Sequence, residues 1–228
     1  LLVWTEEQVA CIWTAPSEAE AEALANFIST REINELRVLG DAAFGVLRPR
    51  LTEGDWRCSH NYGVTPPQLR PRPSESVRGL IPEDRRALER GHEQVAAFRE
   101  FIDYGQSVLF RDFDWMISGL PVVCYGAFAS EDLVGFCSTN PICCGVREIS
   151  LLVVAEEHRR KGIASGLLTA AAQDAFTRGE AVGYHAGGAG DHLRAMLQKL
   201  GFHELRKTYR YVPPTTGEPW RTGWGLVV

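Results

Sequence analysis

"LLVVAEEHRRKGIASGLL", residues 151–168, packs a strand-like end, an acidic turn, a cationic run and an apolar helix pattern into one short segment. Upstream, Glu148 to Val154 ("EISLLVV") has the β-branched and apolar density of a strand. Downstream, Ile163, Leu167, Ala171 and Ala175 recur every four residues, with Ala164 and Leu168 beside them and Gln173, Asp174 and Arg178 opposite. That spacing predicts a helix over about 160–177 with one apolar face, and Gly179 is placed to end it.

Between strand and helix stand Arg159, Arg160, Lys161 and Gly162. The first N–H groups of a helix have no partner within it and point outward at its positive end, where they can bind phosphate oxygens. Gly162 permits close backbone approach, and the cations add charge at the rim. Taken alone, the charge run reads as a solvated patch, because cations oppose the dipole at a helix start. The segment is neither a P-loop nor a dinucleotide fingerprint, since the Gly-Lys-Ser/Thr ending and Gly-x-Gly-x-x-Gly are both absent.

Working outward, "SEAEAEALANFIS" (17–29) carries Ser17 and Glu20 in capping-box spacing and predicts a helix. Strand-like text flanks it, "ACIWTA" before and "INELRVLG" after, and a second helix is expected from Asp41 to about Leu51. "DWRCSHNYGV" (55–64) reads as extended. "TPPQLRPRPSES" (65–76), with four prolines in eight positions, reads as an exposed connector and the domain boundary. Beyond it come a strand at 77–81, a helix opened by Pro82 with Glu83 and Asp84 at its positive end, and a hairpin turning at Ser130–Asp132. The strand "AVGYHA", a helix capped by Asp191 and one or two strands in "FHELRKTYRYV" follow the central segment. This order gives an α/β fold with a mixed sheet and helices on its faces.

Composition narrows the function. A net charge of −5 argues against a general nucleic-acid binder. The longest charge-free run, 115–130, is interrupted by Gly119 and Pro121 and is short for a membrane span. The opening "LLVWTEEQ" has no basic region before its apolar residues and does not read as a signal peptide. The six cysteines include no Cys-x-x-Cys pair, and Cys143–Cys144 are poorly spaced for zinc. They read as buried thiols in a reducing compartment, so a cytoplasmic location and no metal are expected.

Leu152–Val154 followed by Arg159, Gly162 and Ala164 resembles the central motif of the GCN5-related N-acetyltransferase (GNAT) superfamily. That motif is a Leu-x-Val strand, an acidic turn, and Arg/Gln-x-x-Gly-x-Gly/Ala at the head of a long helix. "HLRAMLQKLGFHELRKTYRYV" (192–212) resembles the family's late helix ending in Lys-Leu-Gly-Phe and its last strand pair. The resemblance covers about 76–212. It implies a GNAT-like acyl-CoA N-acyltransferase fold, here with an N-terminal α/β unit of unknown role at 1–74, the transferase domain at 75–213 and a tail at 214–228.

It further implies that acetyl-CoA, or another acyl-CoA, lies where two neighbouring parallel strands splay apart. The pyrophosphate would sit on the backbone of Arg159, Arg160, Lys161, Gly162, Ile163 and Ala164. The pantetheine arm would pair with the edge at Leu152, Val153 and Val154, with the Val154 N–H as oxyanion donor. A primary amine of a small molecule or peptide would attack the thioester directly.

Glu148, at the head of the central strand, is the expected general base, and His185, at the end of the next strand, a base, relay or substrate contact. The family's usual proton-donating tyrosine is replaced by Leu197, so Tyr209, Tyr211 or water would protonate the thiolate. Trp115 reads as core or pocket lining. Three readings stay open: an N-acetyltransferase, including one that modifies an antibiotic amine; a non-catalytic acyl-CoA sensor, for which Leu197 speaks; and a plain α/β scaffold. The N-terminal unit would complete the acceptor pocket or mediate a homodimer.

Overall fold

The computed structural model of the chain describes residues 2–4, 9–12, 17, 19–23, 26, 35–103, 106–143, 145–187 and 191–212. Among the described residues two compact units emerge, one from those up to 61 with 204–212, the other from 62–203.

In the first unit, β1 (Leu2–Trp4) pairs antiparallel with β2 (Val9–Ile12), and β2 runs parallel to β3 (Glu35–Leu39). β12 (His203–Val212) returns antiparallel to β3, with Tyr209 opposite Val38. Residues 19–23 are helical. Ser17 N donates to Glu20 Oε2 at 2.7 Å and Glu20 N to Ser17 Oγ at 3.4 Å, so the capping box forms. Helix α1 spans Asp41–Leu47, shorter than the expected reach to Leu51. Pro49 has no N–H to continue the ladder. Leu36, Val38, Ala43, Leu47, Tyr209 and Tyr211 form this unit's core.

The second unit is built on five strands in the order β5 (Val77–Gly79), β8 (Val123–Ala129), β9 (Asp132–Cys143), β10 (Val146–Val154) and β11 (Ala181–Gly187). All neighbours are antiparallel except β10 and β11, which are parallel. The sheet is therefore mixed, and the hairpin turns at Ser130–Glu131, as its sequence predicts. One face is covered by α5 (Ile163–Thr177) and α6 (Asp191–Lys199), with Leu152, Val154, Leu167, Leu168, Leu193 and Leu197 in that core. The other face is covered by α2 (Arg85–Gln94), α3 (Ala96–Arg99) and α4 (Val108–Ile117), through Leu88, Phe98, Leu109, Phe113, Leu151 and Val153. A two-strand ribbon, β6 (Ile102–Asp103) with β7 (Gln106–Ser107), precedes α4.

The division falls within β4 (Asp55–Val64), not in the proline-rich stretch at 65–76. Tyr62 and Val64 already belong to the second unit's core. The proline segment is stitched to that unit: Arg70 N donates to the Leu200 carbonyl at 2.8 Å and Arg72 N to Thr169 Oγ1 at 3.0 Å. The C-terminal strand goes to the first unit because its ladder partner is β3. The tail at 214–228 lies outside the described residues.

Gly201, in the Lys-Leu-Gly-Phe stretch, has φ +92°, and a Cβ there would lie 1.9 Å from the Gln68 carbonyl oxygen. Both the backbone angle and the neighbour demand glycine at this position. Among the described residues, no helix is long and apolar enough to cross a membrane.

Candidate active site

The parallel pairing of β10 and β11 runs from Val146↔Ala181 to Ile149↔Tyr184 and then stops. Both strands continue, β10 to Val154 and β11 to Gly187, so they part beyond Ile149 and Tyr184. A bulge in β10 sits at the same place. Ile149 faces Thr139 and Leu151 faces Ser138, which leaves Ser150 as the extra residue. The two cores record its effect. Ile149, Leu152 and Val154 share one face, while Leu151 and Val153 share the other. Without the extra residue, Ile149 and Leu151 would share a face.

The bulge is held by a buried network. Asp112 on α4 is fully buried. Its Oδ2 accepts from Ser138 Oγ at 2.5 Å and Ser150 Oγ at 3.0 Å, and the two hydroxyls lie 2.8 Å apart. Its Oδ1 accepts from Arg111 Nε at 3.1 Å and Nη2 at 3.0 Å. Both carboxylate oxygens are thus satisfied by charged or hydroxyl donors, which a buried carboxylate needs. The sequence reading missed Asp112. In "RDFDWM" its charge sits among aromatics, and only the tertiary partners show that it points inward. Trp115, from the same stretch, is 39% exposed, with the Arg111 guanidinium 4.7 Å from its ring.

Beyond β10 the chain makes a short turn, Glu156–His158, and reaches the cationic run. Arg159 is extended and its Nε donates to the Val154 carbonyl at 3.3 Å. Arg160, at φ +60°, and Gly162, at φ +83°, are both left-handed. Gly162 is the N-cap of α5 and contributes no side-chain cap. The helix begins at Ile163, three residues later than the sequence predicts, because Gly162's left-handed backbone cannot belong to it. The leading N–H groups of α5 therefore meet no capping side chain, and Arg160, Lys161 and Gly162 are exposed around them. Ile163 and Ala164 turn their side chains into the core, leaving backbone as what they offer outward.

Register places Glu148 directly between Asn140 on β9 and Gly183 on β11. His185 is two residues beyond Gly183, on the same face of the sheet. Ser138, two residues before Asn140, reaches Asp112 of α4, so this is the face that α4 covers. Asn140, Glu148, Ser150, Gly183 and His185 are all half-buried, whereas Thr139, Ile149 and Tyr184 on the opposite face are buried. The structure thus brings Glu148 and His185 to one accessible row at the point where the strands part.

Tyr209 belongs to the first unit. Its hydroxyl donates to Asp41 Oδ1, and its ring stacks on Phe44 with centroids 3.7 Å apart. Burial, then the Asp41 hydrogen bond, push the phenol above its ordinary pKa. Leu197 is fully buried in the core beside Leu193 and Leu200, so it is packing and nothing else. Of the thiols, Cys124 and Cys137 are buried and burial raises the pKa of each, but Cys58 is exposed, unlike the expectation of uniformly buried cysteines. Cys143 and Cys144 lie outside the described side chains. A recess of about 490 Å³ at the β5–β8 edge, lined by Arg78, Asp84, Arg86 and Phe128 among others, contains none of the predicted site residues.

The family model described as "Acetyltransferase (GNAT) family" matches residues 90–202. Those residues belong to the GNAT family. The fold agrees with solved GNAT structures. An acetyltransferase of the family from Colwellia psychrerythraea has a TM-score of 0.66 at 12% identity, over 92% of this chain and 80% of that one. A GCN5-related N-acetyltransferase from Sphaerobacter thermophilus has a TM-score of 0.63 at 15% identity, over 92% and 74%. One from Kribbella flavida has a TM-score of 0.62 at 15% identity, over 90% and 81%. No curated protein matches the sequence. The GNAT match lies wholly in the second unit and includes the strand parting, the bulge and the Gly162-led helix.

Proposed function

We propose that this protein is an N-acetyltransferase that transfers the acetyl group of acetyl-CoA to a primary amine of a small molecule or peptide. The observation that carries the reading is the parting of parallel β10 and β11 beside the uncapped N-terminus of α5. An edge no longer laddered to β11 and a helix N-terminus rich in N–H donors suit a pantetheine amide chain and a pyrophosphate, respectively. The residues fit that ligand: Gly162 leaves the helix start without a side-chain cap, and Arg160 and Lys161 supply exposed positive charge.

In this reading Leu152, Val153 and Val154 offer backbone to the pantetheine arm, and Arg159 to Ala164 offer N–H groups and charge to the pyrophosphate. The Val154 N–H donates to the thioester oxygen as negative charge develops there. Acetyl-CoA supplies the activated acyl group and a thiolate leaving group. Glu148, directly or through water, takes the proton of the attacking ammonium, and His185 on the same row relays it or orients the amine. Tyr209 is not assigned the acid step, since its hydroxyl already donates to Asp41. The thiolate, whose conjugate thiol has an ordinary pKa of about 8.5, can leave without an acid from the protein.

The test has two parts. Acetyl-CoA at millimolar concentration should raise the melting temperature, and thiol release should appear with amines in a panel and fall in Glu148→Gln and His185→Ala. No thermal shift would defeat the proposal. The buried Leu197 favours a second reading, an acyl-CoA sensor without turnover. Binding with no thiol release on any amine would support it.

A further inference from the structure

The row that carries Glu148 contains an unmet acceptor. Asn140 Oδ1 is buried and has no hydrogen-bond partner among the described residues. An acceptor in that condition costs about 1–3 kcal/mol relative to a paired one, so native structures seldom retain it without a reason. Asn140 stands directly opposite Glu148. On the far side of Glu148, Gly183 contributes no side chain, and a Cβ placed there would meet only Val146 Cγ1 at 3.6 Å and the Tyr62 carbonyl at 4.0 Å. The row therefore presents a carboxylate, an unsatisfied amide oxygen and, at Gly183, a half-buried position without a side chain that has room for about a methyl group beside Val146, at the place where β10 and β11 part.

We propose that Asn140 is an acceptor-binding residue: its Oδ1, together with the Glu148 carboxylate, forms a subsite for the N–H groups of a primary ammonium entering over Gly183. The proposal rests on the acetyltransferase reading for its purpose, but not for its chemistry. A primary ammonium has three donors and a full positive charge. One donor can go to Glu148 and another to Asn140, which satisfies the buried oxygen. A quaternary ammonium has the charge without the donors. A neutral alcohol has a single donor and no charge.

The experiment is a titration of the full chain with n-butylammonium, tetramethylammonium and n-butanol at matched ionic strength, followed by ligand-observed NMR. The wild type should bind n-butylammonium about ten-fold more tightly than either control, the loss expected for hydrogen bonds to a charged group. Asn140→Leu should weaken n-butylammonium about ten-fold and leave tetramethylammonium unchanged. Asn140→Asp, which keeps the shape and adds charge, should bind n-butylammonium at least as well as the wild type, and provides the readout if the leucine variant does not fold. Equal binding of the two ammonium ions by the wild type, unchanged n-butylammonium binding in Asn140→Leu, or weaker binding in Asn140→Asp would each overturn the proposal. Thermal shift with acetyl-CoA is run alongside on every variant. If acetyl-CoA fails to bind, the acetyltransferase reading falls, and the ammonium titration still decides the role of Asn140.

Discussion

Replacing Asp112 with alanine should be among the most damaging single changes in the second unit, and its size can be worked from the contacts. The carboxylate is fully buried and accepts from Ser138 Oγ, Ser150 Oγ and two nitrogens of Arg111. Alanine removes the acceptor of two hydroxyls, each hydrogen bond being worth about 1 kcal/mol net. It also strips a largely buried guanidinium of its carboxylate, and breaking such a pair costs about 3–5 kcal/mol. The ionic contribution dominates, so Asp112→Ala should lose roughly 3–5 kcal/mol, or about 6–20 °C in melting temperature for a chain of this size. Asp112→Asn keeps an oxygen for Arg111 and an amide that can donate to the serine hydroxyls, so only about 1–2 kcal/mol should go. Thermal and urea unfolding followed by circular dichroism measure both. A loss under about 1 kcal/mol in Asp112→Ala, or an asparagine variant as damaged as the alanine one, would refute the view that a buried carboxylate, paired with Arg111 on its own helix and accepting from Ser138 and Ser150, fastens α4 to the bulge.

Gly201→Ala should destabilise by about 3 kcal/mol or more, since it combines a left-handed backbone with a Cβ 1.9 Å from the Gln68 carbonyl; urea unfolding would show it. Gly162→Ala has φ +83° but open space around the added methyl, so its cost is conformational, about 1–2 kcal/mol, and acetyl-CoA affinity measured by calorimetry should fall about ten-fold. The hydrogen bond from Arg78 holds Asp84 below its ordinary carboxylate pKa of 3.8. Its contribution is therefore complete above pH 3.8 and disappears as pH falls through the depressed folded value. The stability gap between wild type and Asp84→Asn should be wide at pH 6 and narrow towards pH 3 in urea titrations.

The elements legible in the sequence were those with a local cause. The α5 pattern needs only its own apolar spacing, Ser17 and Glu20 cap through a fixed offset, and the β8–β9 hairpin is marked by its polar turn. Glu148 and His185 were nameable because the resemblance says where such residues stand, and the register then puts them on one row. What escaped was non-local. Nothing in "REISLLVV" distinguishes a bulged strand from a straight one, because Ser150 is neither glycine nor proline and its reason for bulging lies in Asp112, 38 residues earlier. Helix α4 went unread since "VLFRDFDWMI" is apolar on more than one side, with charges that find tertiary partners. The first boundary was misplaced because prolines mark an extended backbone, not an unattached one, and Arg70 and Arg72 tie theirs down.

The extra residue at Ser150 has one more consequence. It divides β10 into two halves whose in-out parity is independent: Val146 to Ile149 follow one phase and Leu151 to Val154 the opposite one. Straightening the strand with Ser150 kept in it would merge the phases and turn Leu152 and Val154 away from α5, while a substitution at Glu148 leaves the downstream phase untouched. A single strand can thereby vary the chemistry of its first half and keep the packing of its second half fixed.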